Sequence, residues 1–112
     1  MNIKIGPQNY LLEERSKGED GMLNDGNYAY TLDTGNLIVL DKDIATSKKQ
    51  VTVLHEILHA IRFNNDGMIK PRKKDDFDVW EHFFIGLYEN NLLGVLKDNP
   101  DLVEWLLSEQ ED

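Results

Sequence analysis

Thr52-Val53-Leu54-His55-Glu56-Ile57-Leu58-His59-Ala60-Ile61 is the stretch whose periodicity decides how the rest of the chain is read. Ser47 followed three residues later by Gln50 has the form of a capping box, so a helix is expected from there to about Phe63. Asn64-Asn65-Asp66-Gly67, which tolerate left-handed backbone, should end it. On a helical wheel Val51, Leu54, Leu58 and Ile61 form one apolar stripe flanked by Ile57, and Val53, Ala60 and Phe63 occupy other sides. A helix apolar nearly all round is expected to be buried. His55 and His59, four apart, then project from neighbouring turns on one side.

That spacing suits one metal ion. Two imidazole nitrogens four residues apart can meet a zinc ion at about 2.0–2.1 Å each. Glu56 is rotated by roughly 100° from His55, so it can face a water on the ion instead of the ion itself. A carboxylate there can take a proton from that water, which is the mechanical content of the pattern His-Glu-x-x-His. Three ionisable groups on a buried helix need partners, and a metal supplies them. Catalytic zinc usually has three protein ligands. Glu81 and His82 are the candidates for the third, adjacent in sequence and pointing about 100° apart on a second helix. Glu81 falls within the stripe Phe77, Trp80, Phe84, Tyr88, Leu92 and Val95, whereas His82 lies on the opposite side near Asp78 and Glu89. A bare carboxylate among apolar side chains is expensive unless a cation meets it, so Glu81 is preferred over His82.

Upstream, Asn2 to Ile5 alternates like a strand and stops at Gly6-Pro7, and Tyr10 to Glu14 reads as another, joined through Gln8 and Asn9. Arg15 to Asn27 has neither helical nor strand period and reads as a loop. Tyr28 to Leu32 and Leu37 to Leu40, joined by Asp33-Thr34-Gly35-Asn36, read as a hairpin. Downstream, a long helix is expected from Asp75 to about Lys97. Asn99-Pro100 then supplies a cap and first position for a short helix to Ser108. The class is therefore α+β: a small N-terminal antiparallel sheet, a buried motif helix, a second long helix and a short C-terminal one.

At 112 residues the chain, 1–112, is expected to be one domain. It has no cysteine, which removes disulfides, thiolate nucleophiles and cysteine-held zinc. A net charge of −9 argues against nucleic-acid binding, and the basic run Lys70, Arg72, Lys73, Lys74 leads directly into Asp75 and Asp76 as a solvated loop would. Met1 to Ile5 lacks the apolar stretch of a signal peptide, and no segment reaches bilayer-spanning length. The expectation is a cytoplasmic protein with no membrane or nucleic-acid partner.

The motif with its neighbours Thr52, Val53, Ile57, Leu58, Ala60 and Ile61, together with Glu81, resembles the zincin metallopeptidases, and within them the gluzincins. The likeness covers roughly Tyr28 to Leu96. The 21 residues between His59 and Glu81 resemble the thermolysin-like spacing, although the residues around Glu81 do not. The small size is more similar to the minimal metallopeptidases of phages and mobile elements, including the ImmA/IrrE group.

The resemblance implies a zinc site of His55, His59 and Glu81, with Glu56 as general base in hydrolysis of a protein or peptide substrate. It also implies that the strand before the motif helix, Leu37-Ile38-Val39-Leu40, lies along the cleft and pairs with an extended substrate; an ordinary buried strand is the other reading of the same residues. An oxyanion donor is needed, with Tyr88, Tyr28 and Tyr30 as candidates. Asp41, Asp43 and Glu89 are candidates to orient the histidines. The competing function is a non-catalytic binding protein that keeps the fold and a structural zinc.

Overall fold

In the computed structural model, which describes residues 1–109, the chain is α+β. Strands β1 (Asn2–Ile5), β2 (Gln8–Arg15), β3 (Ala29–Leu32) and β4 (Leu37–Asp41) form one sheet. Between β2 and β3 lie a 3-10 turn, Lys17–Glu19, and a one-turn helix α1, Gly21–Asn24. Helices α2 (Thr46–Asn64), α3 (Phe77–Asp98) and α4 (Pro100–Leu107) follow. No helix among the described residues is long and apolar enough to cross a membrane.

The sheet order is β1-β2-β4-β3. β1 and β2 form a hairpin across Gly6-Pro7, with Ile5 opposite Gln8. Gly6 has φ +58°, and a positive φ at the first of two turn residues followed by proline fits a type II′ turn, whose twist matches the strands. β3 and β4 form the expected antiparallel hairpin. β4 runs parallel to β2, so the sheet is mixed and not antiparallel throughout. The excursion from Ser16 to Asn36 causes this, since it lets the second hairpin enter with its return strand beside β2.

One face of the sheet presents Ile3, Ile5, Tyr10, Ile38 and Leu40 to Val53, Ile57, Ala60 and Ile61 of α2, with Leu87, Val95 and Leu102 closing the core. Each fully buried aliphatic side chain contributes about 1.5–3 kcal/mol. The apolar stripe expected on α2 is not the face it buries. Val51 is 70% exposed and Leu54 37%, so the buried stripe is Val53, Glu56, Ile57, Ala60, Ile61. These are spaced i, i+3, i+4, i+7, i+8, as one helix face requires. The capping box is absent too. Ala45 is the N-cap without a side-chain bond, and Gln50 instead donates to the carbonyls of Trp105 and Ser108, joining α2 to α4.

Residues 15–27, expected to be a loop, cover the other sheet face. Leu23 and Val39 are both fully buried there. Asp20 organises the segment, accepting from the backbone N–H groups of Met22 (3.0 Å) and Leu23 (3.2 Å), from Tyr30 Oη (2.6 Å) and from Arg15 Nη1 (3.0 Å). The Tyr30 hydroxyl above all, and then Arg15, hold its carboxyl below the ordinary value against the opposing effect of burial. A lowered carboxyl pKa contributes stability that is present above the unfolded value and lost as pH falls through the native one. Tyr30→Phe is therefore expected to lower the melting temperature at neutral pH and to shrink the further loss on going to about pH 3. An unchanged acid loss, measured by circular dichroism melts at both pH values, would remove Tyr30 from this role.

Asn99 closes one edge of the sheet. Its side-chain amide accepts from Lys4 N–H (2.8 Å) and donates to Lys4 C=O (2.7 Å) and Val95 C=O (2.7 Å). It stands at the N-cap of α4, with Pro100 following as expected, but its side chain serves β1 instead of the helix. The other edge of the sheet is β3.

Candidate metal site

α2 carries His55 and His59 on its solvent side and Glu56 on its inner side. The two Nε2 atoms face each other at 3.0 Å and the rings meet edge-on with centroids 4.7 Å apart. Two bonds of about 2.05 Å at a tetrahedral angle bring two nitrogens to about 3.3 Å, so the pair is already close to a chelating arrangement. His59 also stacks on Phe63, with centroids 6.0 Å apart, which restrains its ring. Neutral imidazoles facing through the same kind of nitrogen satisfy each other only if one donates; a cation satisfies both.

Glu56 is 5% exposed, and its Oε2 lies 3.9 Å from His55 Nε2. The Thr31 hydroxyl, on β3, donates to Glu56 Oε1 at 2.9 Å. A buried carboxylate without such a donor would cost several kcal/mol, on the order of a lost charged hydrogen bond or more. His55, Glu56 and His59 have ligand atoms all within 4.8 Å and form a group that could hold a metal ion. A cleft of ≈ 310 Å³ opens between β3 and α2, with Tyr28, Ala29, His55 and Glu56 in its walls.

Glu81 is not brought to this group. It lies with Asp78 and His82 in a second cluster on α3, and all three are exposed. Glu81 therefore does not lie in the buried apolar stripe that the sequence led one to expect. Phe77 is 78% exposed and Phe84 41%, while burial on α3 is concentrated at Leu87 and Val95. The first turns of that helix project beyond the core, where a carboxylate is solvated and costs nothing. His82 Nδ1–H donates to the Asp78 carbonyl (2.9 Å), and that contact, with the Asp78 charge, raises its pKa.

The strand expected to pair with substrate is not at an edge. Leu37, Ile38, Val39 and Leu40 belong to an inner strand paired on both sides, and Ile38, Val39 and Leu40 are buried. An inner strand has no free backbone groups for a substrate, and β3 is the edge beside the cleft. Of the tyrosines, Tyr28 lines the cleft. Tyr30 is committed to Asp20 on the opposite face. Tyr88 lines a separate apolar hollow with Ile85 and Leu92.

Asp41 is buried and accepts from Asp43 N–H at 2.9 Å, with Lys17 Nζ 3.8 Å from its other oxygen, so it serves its own turn. Glu89 is exposed beside Tyr88. Thr31 is the residue the sequence reading missed. It lies 25 residues before Glu56, and no local pattern marks a strand threonine as the partner of a helix carboxylate. No family model, no curated protein and no solved structure matches the chain.

Proposed function

We propose that the chain is a small zinc-dependent metallopeptidase of the zincin type, working in the cytoplasm on a peptide or protein. The observation that carries this reading is the placement of Glu56. It is buried and held by one oxygen, in the wall of a cleft that also contains His55 and is bounded by an open strand edge. A structural metal site has no use for a fixed carboxylate beside its ligands; hydrolysis does.

His55 and His59 would hold the ion; Glu81, the third ligand expected from the sequence, lies in the separate exposed cluster on α3. A bound zinc would supply Lewis acidity toward a carbonyl oxygen and lower the pKa of a water. The chain does the rest. The β3 edge offers backbone groups to an extended peptide, which is why the substrate strand is assigned to Ala29–Leu32. Glu56 accepts a proton from the attacking water and returns it to the leaving amine. Tyr28, in the cleft wall, is the residue best sited to donate to the oxyanion. Incubating zinc-loaded protein with a degenerate peptide library, and reading new termini by mass spectrometry, tests the activity. Cleavage no greater than in a chelator-treated control would sink it.

Glu81 has its own test. Because it is exposed, Glu81→Ala should change the stability of the metal-free protein by no more than a few tenths of a kcal/mol. It should leave zinc affinity unchanged as well, as should His82→Ala, because both lie apart from the histidine pair. A weaker zinc affinity in Glu81→Ala than in wild type, by competition with a colorimetric chelator, would return Glu81 to the ligand set.

A second reading, a non-catalytic binding protein with a structural metal, draws on a different feature. An apolar groove of ≈ 390 Å³ runs between α2, α3 and α4, lined by Val51, Leu54, Leu92, Leu96, Leu106 and Leu107. Exposed apolar surface of this kind marks binding sites as readily as it marks nothing. Glu56→Gln discriminates the two, since only a peptidase needs the basic oxygen.

A further inference from the structure

We infer that Thr31 is a positioning residue that fixes Glu56 relative to a peptide paired on β3, an inference that rests on the metallopeptidase reading. Its hydroxyl has a single proton and two nearby acceptors, Glu56 Oε1 at 2.9 Å and the Glu56 carbonyl at 3.4 Å. The shorter, charge-assisted contact takes the proton. Oε1 is thereby committed, and Oε2, 3.9 Å from His55 Nε2, is the oxygen left to act as base.

The backbone of the same residue faces the other way. Asp41 N–H donates to the Tyr28 carbonyl at 2.8 Å, and the register continues as Ala29 opposite Leu40 and Thr31 opposite Ile38. Directly opposed residues in an antiparallel ladder alternate between bonded and unbonded pairs. Tyr28, Tyr30 and Leu32 therefore turn their N–H and C=O toward β4, while those of Ala29 and Thr31 point out of the open edge. The bonds on the far side of β4 agree: Leu11 N–H meets the Asn36 carbonyl and Lys42 N–H meets the Arg15 carbonyl, so even-numbered positions face β2. A peptide adding to the edge bonds to the Thr31 backbone while the Thr31 side chain holds the base. Substrate register and base orientation are set by one residue, over the length of one side chain.

Acetohydroxamic acid tests this without a substrate. It chelates a divalent ion as the anion, and its O–H proton passes to a neighbouring carboxylate, here Glu56 Oε2. Cobalt-loaded protein gives the dissociation constant by visible absorption, and cobalt affinity is measured alongside. Glu56→Gln should weaken acetohydroxamate binding. Thr31→Val, nearly isosteric, should weaken it by about tenfold or more, the loss of one hydrogen bond to a charged group, with cobalt affinity unchanged. Thr31→Ser should restore it.

If Glu56→Gln weakens binding and Thr31→Val does not, the role of Thr31 is overturned and the general base stands. If Glu56→Gln matches wild type, the base reading falls and takes Thr31 with it. Loss of cobalt or of the fold in Thr31→Val would make the residue merely structural and overturn the inference. So would a Thr31→Ser variant that fails to recover.

Discussion

Glu56→Gln is expected to keep its zinc and its melting temperature and to lose turnover by about 10²–10⁴, the usual worth of a general base. The substitution preserves shape and leaves Oε1 able to accept from Thr31, so the contact at 2.9 Å and the burial of the side chain can persist. What it removes is the basic oxygen on the His55 side. The amide could be placed with its NH₂ toward His55, where it can neither take a proton from water nor return one to a leaving amine. The measurement is a rate on any peptide found in the library digest, with metal content determined on the same sample. A Glu56→Gln protein that cleaves at the wild-type rate with full zinc would end the peptidase proposal. A wild type with no cleavage products, whose partner is retained equally by both proteins, would favour the binding reading.

The second large effect is expected at the histidines, and its form follows from their exposure. The His55 side chain is 65% exposed and His59 is exposed as well, so neither supports the core. In metal-free protein, His55→Ala and His59→Ala should each change stability by no more than a few tenths of a kcal/mol. With zinc the outcome separates. Wild type gains about 2.7 kcal/mol when free zinc exceeds its dissociation constant by about a hundredfold, because only the folded chain presents the converging pair. Either alanine variant should lose that gain. Its affinity should fall by more than the roughly 10–100-fold that losing an outer hydrogen-bonding partner costs, since a ligand itself is gone. Melting curves with and without zinc, together with elemental analysis, check this. Zinc that raises the melting temperature of all three proteins equally would place the ion elsewhere.

Local pattern alone was enough for most elements. The Gly6-Pro7 turn, the hairpin around Asp33 to Asn36, the motif helix ending at Asn64 and the Asn99-Pro100 junction all depend on residues within a few positions of one another. Backbone chemistry of glycine, proline and asparagine acts over that range, so it is legible without a fold. The same holds for His55 and His59, whose convergence needs only helical spacing.

What needed the tertiary structure was every question of which side faces inward and what lies across a gap. The apolar residues of α2 surround the helix, so the wheel offered several buried faces. Packing against Ile38 and Leu40 of the sheet selected Val53, Ile57 and Ala60, with Glu56 among them, over Val51 and Leu54. Glu81 sits in an apolar stripe in sequence but on turns of α3 that lie outside the core, which only the packing of the helix decides. β4 reads as a strand from its own residues, yet its place between β2 and β3 comes from a parallel pairing with residues 26 positions earlier, Leu11 with Leu37 through Arg15 with Asp41. Strand neighbours are chosen by non-local hydrogen bonds and by burial on the sheet faces, which no window of sequence contains. For the same reason the open edge, the closing of β1 by Asn99 and the hydroxyl of Thr31 on Glu56 belong to the fold, while the converging histidine pair belongs to the sequence.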